Sequence, residues 1–315
     1  MLVFMMMFAA GCSSAGNSDN SSEQTTAEAL TIHDVYAWTD YPESEFFPVF
    51  SDSSKEEKLS FTYDKEKLQI DETKHTVKGL VAGIHRVKAV SENYTAQFAV
   101  KVRTVDKELS YFKPEAHWLT YVGQMKKIWK EKGRDGHTTV FIGDSFFDEA
   151  AFWTNFYEEY YPGKDALCFG IGSTTSFTWE TLTDTFLAEM SPKNIVMHIG
   201  TNNIYDKYGE ADDTIENIQR MFVLMHDRLP DTKIYYFAIT QRGYEDFRNQ
   251  YAIVETVNEA MKGWCEERRW ITFLDTCADL PVNMLKTDKI HPLLSSYQVF
   301  TDALNSSDIA IEPLA

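Results

Sequence analysis

Three short blocks lie in order along the chain: Gly143-Asp144-Ser145, Gly200-Thr201-Asn202-Asn203 and Asp288-Lys289-Ile290-His291. A serine hydroxyl attacks poorly until a base takes its proton. An imidazole can be that base, and a carboxylate on its other ring nitrogen fixes the tautomer and steadies the charged form. Asp288 and His291 are close enough in sequence for one loop to present both. The Asn202 amide can donate to an oxygen that turns negative in a transition state. Together the blocks supply a nucleophile, a base with its orienting acid, and an oxyanion donor, which is the chemistry of acyl transfer. Each alone has a plainer reading. Ser145 is a good helix cap, Asn202-Asn203 is ordinary turn chemistry, and Asp288 could cap a helix beside an exposed His291. Their joint occurrence, in order and each at an expected element boundary, decides for chemistry.

The elements that must position these residues follow from periodicity. Apolar strands are predicted at Thr138-Ile142, Ala166-Phe169, Ile195-Ile199, Lys233-Ile239 and Trp270-Leu274. Helices are predicted near 146–160, 176–190, 211–229, 245–268 and 293–304. Strands alternating with helices imply a parallel sheet covered on both faces. Ligands bind such sheets beyond the carboxyl ends of the strands, where the blocks fall. No Gly-x-Ser-x-Gly elbow is present, which disfavours an ordinary α/β-hydrolase. Upstream, residues 115–132 read as one amphipathic helix, with Trp118, Tyr121, Val122, Met125 and Trp129 on one face and Gly133 ending it. It is expected to dock onto the sheet domain as a connector, within a linker over 106–137.

At this point the chain resembles a known family. Phe141-Ile-Gly-Asp-Ser-Phe146 is similar to the first block of the SGNH (GDSL) hydrolases, Gly200-Thr201-Asn202-Asn203 to their third, and Asp288-Lys-Ile-His-Pro292 to their fifth. The resemblance covers roughly residues 138–304, within a domain expected over 138–315. It implies a flavodoxin-like three-layer α/β/α sandwich around a five-stranded parallel sheet. It also implies Ser145 as nucleophile, His291 as base and Asp288 as its acid. The oxyanion hole would then be formed by Ser145 and Gly172 through their N–H groups and Asn202 through its amide. No metal or organic cofactor is implied. The second block maps to Gly170-Ile-Gly-Ser-Thr-Thr175, where Gly172-Ser173 stands in place of a frequent Gly-Gly pair. Gly172 is the expected donor and Ser173 the alternative. Asn203 stands where many members carry Asp.

The remainder of the sequence bears on location and attachment. The first eleven residues are apolar and too short to span a bilayer. Ending Ala9-Ala10-Gly11-Cys12, they resemble a bacterial signal with a lipobox, so Cys12 is expected to carry a lipid and tie the protein outside the cytoplasm. Residues 13–29 have almost no large apolar side chain and read as a flexible tether. From 30 to 105 the pattern alternates, as in Lys58-Leu-Ser-Phe-Thr-Tyr63 and Ala96-Gln-Phe-Ala-Val-Lys-Val102, which predicts a small β-sandwich. The run Thr76-Val-Lys-Gly-Leu-Val-Ala-Gly83 resembles bacterial immunoglobulin-like modules, which implies a spacer or adhesive role. An accessory β-layer packed on the enzyme is the other reading. With Cys12 assigned to the lipid, Cys168, Cys265 and Cys277 remain, an odd number that cannot pair fully.

A net charge of −18 repels phosphate backbones and makes nucleic acid an unfavourable partner. The substrate is expected to be a small-molecule or polysaccharide ester, with short-chain (acetyl) carbohydrate esters first. Phe146, Phe147, Trp153, Phe177 and Trp179 lie near the expected site, either in the core or against a sugar or acyl group. A lipase or acyl-thioesterase is the alternative, as is a surface carbohydrate-binding protein with an inactive hydrolase domain. A carbohydrate O-acetyltransferase would use the same groups.

Overall fold

A computed structural model describes residues 30–54, 57–105, 116–148, 159–205, 210–243, 250–275 and 280–314, with side chains from Tyr121 onward in the first helix. The expected signal, Cys12 and the tether lie outside the described residues, as do Trp153, Cys277 and the side chain of Trp118.

The N-terminal strands are β1 (Leu30–Thr31), β2 (Val35–Thr39), β3 (Ser44–Glu45), β4 (Val49–Phe50), β5 (Ser60–Thr62), β6 (Leu68–Asp71), β7 (Thr76–Gly79), β8 (Gly83–Val90) and β9 (Thr95–Thr104). They form sheets ordered β2-β9-β8-β5, β3-β7-β6 and β1-β4. All pairings are antiparallel except β2 with β9. Alternation drives the packing: Phe98, Val100 and Val102 of β9 turn inward while Gln97, Lys101 and Arg103 do not. They meet Leu30, Phe61, Ile70, Val77 and Val87 in one core shared by all three sheets.

The remaining strands are β10 (Thr139–Gly143), β11 (Ala166–Cys168), β12 (Asn194–His198), β13 (Lys233–Phe237) and β14 (Ile271–Leu274). They make an all-parallel sheet ordered β11-β10-β12-β13-β14. Every residue of β10 and β12 is buried, as a sheet covered on both faces requires. Successive side chains take opposite faces. Val140, Ile142, Ile195 and Met197 join one core with helices α1 (Ala116–Lys132), α2 (Ser176–Leu182), α5 (Ala211–Arg228) and α6 (Tyr251–Glu266). Phe141, Val196, Tyr235 and Phe237 join the other, with α7 (Tyr297–Asn305). This is the flavodoxin-like three-layer α/β/α sandwich. A π-helical turn (Thr183–Leu187) and the short α3 (Ala188–Met190) continue α2, and α4 (Thr201–Tyr205) follows β12. The chain leaves β10 for the edge strand β11 and returns across it to β12, so a crevice opens between the ends of β10 and β12.

Two expected elements differ. The helix expected from 146 is, over its described start, a 3₁₀ turn at Ser145–Phe147 that ends at an extended Asp148. Asp144 caps it by accepting from the Phe146 N–H. The last helix starts at Tyr297 rather than 293, because Pro292 bridges to Leu285 and a 3₁₀ turn (Leu294–Ser296) intervenes.

The β domain packs directly on the parallel-sheet unit. The Trp38 indole N–H donates to Glu216, and the Tyr41 hydroxyl donates to Glu180 at 2.8 Å. Arg220 holds both carboxylates, Glu180 at 3.1 Å and Glu216 at 2.9 Å. Further along, Trp270 and Arg268 bind the side chain and the carbonyl of Glu45 at 3.0 and 3.1 Å. Among the described residues, no helix is long and apolar enough to cross a membrane.

Candidate active site

The turn after β10 depends on two glycines. Gly143 has φ +124°, and a Cβ there would lie 1.9 Å from the His198 carbonyl oxygen. A Cβ on Gly170 would lie 2.2 Å from the Phe147 carbonyl carbon and oxygen. Only glycine lets these backbones approach so closely. The approach lets Asp144 N–H donate to His198 O at 3.0 Å and Ile171 N–H to Gly143 O at 2.9 Å, which ties together the three loops that meet at the sheet edge.

Ser145, Asp288 and His291 come together there. Ser145 Oγ lies 2.7 Å from His291 Nε2, and His291 Nδ1 lies 2.9 Å from Asp288 Oδ2. With Nδ1 as the donor to the carboxylate, Nε2 is left to accept the serine proton. The other oxygen of Asp288 accepts the N–H groups of Ile290 and His291, each at 3.0 Å. Lys289, at φ 52°, supplies the bend that folds the loop back on its own carboxylate. Burial works against ionisation of Asp288, but the backbone N–H and ring of His291 and the N–H of Ile290 outweigh it, so its carboxyl is held below the usual range. Ser145 and His291 are each 9% exposed, so both keep some contact with solvent at that edge.

Asn202 lies in α4 at the end of β12. Its amide N–H donates to Thr174 O at 2.9 Å, and its carbonyl oxygen faces Arg242 Nη2 at 3.4 Å. Thr174 Oγ1 lies 2.7 Å from Ile171 O and 3.1 Å from Gly143 O, with one proton between the two acceptors, so the amide is oriented against the loops that border Ser145. Asn203 holds the start of α2 by accepting the Ser176 N–H at 3.0 Å and donating to Ser176 Oγ at 2.8 Å. An aspartate could accept but not donate, which accounts for an amide at this position.

The second block is arranged differently from what was expected. The Gly172 N–H donates to Asp148 Oδ2 at 2.6 Å, so a carboxylate already engages the expected oxyanion donor. Ser173 takes φ 61°, the left-handed region that favours glycine, and its side chain is exposed. Among the described residues no acceptor engages its N–H.

Sequence reasoning gave no role to four residues around the site: Asp148, Arg242, and the buried pair Asp144 and His198, whose Nδ1 lies 3.0 Å from Asp144 Oδ1. One signal was available, a histidine inside the apolar strand Asn194-Ile-Val-Met-His198. Of the nearby aromatics, Phe146, Phe147 and Trp179 are core, and Phe177 is half-buried with the Arg220 guanidinium 5.2 Å from its ring centre. The Cys168 thiol donates to the Phe147 carbonyl at 2.8 Å, and burial pushes the Cys265 thiol well above its ordinary value. Among the described residues, no group of three or more His, Cys, Asp or Glu side chains could hold a metal ion.

The model of the GDSL-like lipase/acylhydrolase family matches residues 141–299. No curated protein matches the sequence. Among solved structures, the chain is similar to a protein assigned as an acylhydrolase from Bacteroides fragilis, at 19% identity over 64% of this chain and 97% of that one, with a TM-score of 0.49. It is similar to Axe2, an acetylxylan esterase from Geobacillus stearothermophilus, at 20% identity over 56% and 95%, TM-score 0.45. A carbohydrate esterase family 3 protein from Talaromyces cellulolyticus is 17% identical over 54% and 95%, TM-score 0.44.

Proposed function

The chain belongs to the GDSL-like lipase/acylhydrolase family and is a carboxylic ester hydrolase, and on that footing we propose a serine esterase that acts on short-chain, chiefly acetyl, esters of carbohydrate through an acyl-enzyme on Ser145. The observation that carries the reading is the continuous chain Ser145 Oγ, His291 and Asp288, at 2.7 and 2.9 Å. His291 takes the hydroxyl proton as Ser145 Oγ attacks the ester carbonyl. The tetrahedral oxyanion is held by the Ser145 N–H, the Asn202 amide and one N–H of the second block. Because Asp148 engages Gly172, Ser173 is the better donor of the two. His291 then passes its proton to the leaving alcohol, and water repeats the sequence to release the acid.

One observation favours a second reading, an acyl chain longer than acetyl. Val282, Leu293 and Leu294, which flank the His291 loop, are exposed at 53%, 37% and 39%. A panel of acetylated xylan, acetylated peptidoglycan sugars and nitrophenyl esters of rising chain length separates the two, and clear preference for long chains would sink the acetyl reading. Ser145→Ala should abolish turnover of nitrophenyl acetate. Wild-type turnover in that variant would remove Ser145 from the mechanism.

The location belongs to the same proposal. Cys12 anchors the enzyme by a lipid outside the cytoplasm, residues 13–29 form a tether, and residues 30–105 form an immunoglobulin-like module docked on the hydrolase. Cys12→Ser should shift the protein from the detergent phase to the aqueous phase. An unchanged partition would count against the anchor.

A further inference from the structure

Behind the nucleophile lies a second Asp–His pair that the reaction does not use. His198 ends β12, and both His198 and Asp144 are wholly inaccessible to solvent. The imidazole Nδ1 donates to Asp144 Oδ1 at 3.0 Å, since a carboxylate can only accept. The same Oδ1 accepts the Phe146 N–H at 3.1 Å, and Asp144 Oδ2 has no partner among the described residues. One oxygen therefore carries both bonds that hold this buried carboxylate. The His198 ring also stacks on Phe146, with centroids 3.8 Å apart and planes 17° apart. Its own carbonyl takes the Asp144 N–H. The residues on both sides of Ser145 are thus fixed to a single histidine.

The surroundings of that ring are apolar. Phe146 and Phe300 face it, and the nearest other polar contact is the Thr240 hydroxyl, 3.4 Å from Nε2. The three residues of β12 between Asn194 and His198 carry hydrocarbon or thioether side chains, Ile195, Val196 and Met197. An aliphatic residue at 198 would fill the space without burying a polar ring. Phe146 has a further anchor, the Tyr297 hydroxyl on its carbonyl, so the stack alone does not explain a histidine. What only the imidazole supplies is the donor to Asp144.

We propose that His198 is a positioning residue for the esterase reaction, fixing through Asp144 the backbone and Oγ of Ser145 against His291. The proposal rests on Ser145 as the nucleophile. Displacing a reacting atom by about 1 Å can cost about 100-fold in rate, so loss of the donor should act on turnover and not on substrate binding.

The test uses the full chain, with active sites counted by a fluorophosphonate that labels Ser145. His198→Phe keeps a stacking ring but no donor, and its kcat per labelled site on nitrophenyl acetate should fall about 10- to 100-fold, with KM within about twofold. His198→Asn restores an N–H near the Nδ1 position and should recover to within about fivefold of wild type. In an Asp144→Asn background, His198→Phe should cost far less than it does alone. Wild-type turnover per labelled site in His198→Phe would overturn the proposal, as would His198→Asn being no better than His198→Phe. Folding of the variants is not needed for one arm. Nitrogen-15 histidine spectra of the wild-type chain should show His198 protonated on Nδ1, and protonation on Nε2 alone would overturn the proposal. Failure of the nucleophile assignment would look different, as absence of fluorophosphonate labelling in the wild type.

Discussion

The Tyr41 hydroxyl of the β domain donates to Glu180 of α2 at 2.8 Å, and Arg220 clasps the same carboxylate. The first turn of α2 is held to Asn203 of α4, next to Asn202, by Ser176, so this contact lies one helical turn from the site. Tyr41→Phe removes a hydrogen bond to a charged acceptor and should destabilise the protein by about 1.5–3 kcal/mol. The midpoint of urea unfolding measures it. An unchanged midpoint would mean that the β domain rests on the hydrolase without bracing it.

Ser173 occupies the left-handed region at φ 61°. An L-residue is disfavoured there by about 1–2 kcal/mol, whereas glycine is not, although glycine gives back part of this in unfolded-chain entropy. Ser173→Gly should therefore raise stability by up to about 1 kcal/mol and keep the backbone N–H available. Wild-type kcat with a slightly higher Tm is the expected outcome. A large loss of kcat would show that the serine hydroxyl itself takes part.

Asn202 presents a side-chain donor already oriented by Thr174. Removing one such donor costs about 10²–10³ in kcat. Asn202→Ala should show this loss on nitrophenyl acetate with a much smaller change in KM. Asn202→Asp, which replaces the donor by an acceptor, should be at least as poor. Near-normal turnover in both would place the oxyanion elsewhere.

Asp288 has its carboxyl lowered in the folded chain, where burial is outweighed by the N–H groups of His291 and Ile290 and by the imidazole. A carboxyl depressed on folding contributes stability above its unfolded value and loses it as pH falls through the folded value. The Tm gap between wild type and Asp288→Asn should hold steady from neutral pH down to about pH 5, then narrow below about pH 4. A gap that widens on acidification would contradict the direction of the shift.

The sequence reveals the sheet because five short apolar runs, punctuated by helical patterns, leave few other arrangements. Asp288 and His291 were legible for a similar reason, since their contact is made within one loop. What escaped depends on partners distant in sequence. Asp148 reaches Gly172 across 24 residues, Arg242 reaches Asn202 across 40, and His198 reaches Asp144 across 54. No local propensity encodes such pairs. They appear only when β10, β11, β12 and β13 lie side by side. The expected helix near 146–160 gives way at its described start to a 3₁₀ turn for the same reason, because the helical pattern after Ser145 says nothing of the Gly170 backbone pressed against Phe147.

Ser145 and His291 stand 146 positions apart, yet their side chains must meet at 2.7 Å. Closing so long a loop is among the later entropic costs of a parallel sheet. Hydrolysis is therefore a clock on the refolding chain. Circular dichroism will report strands and helices as they form, but the first turnover of ester marks the moment when the C-terminal segment has docked. The lag between the two signals times the last assembly step, with the enzyme as its own reporter.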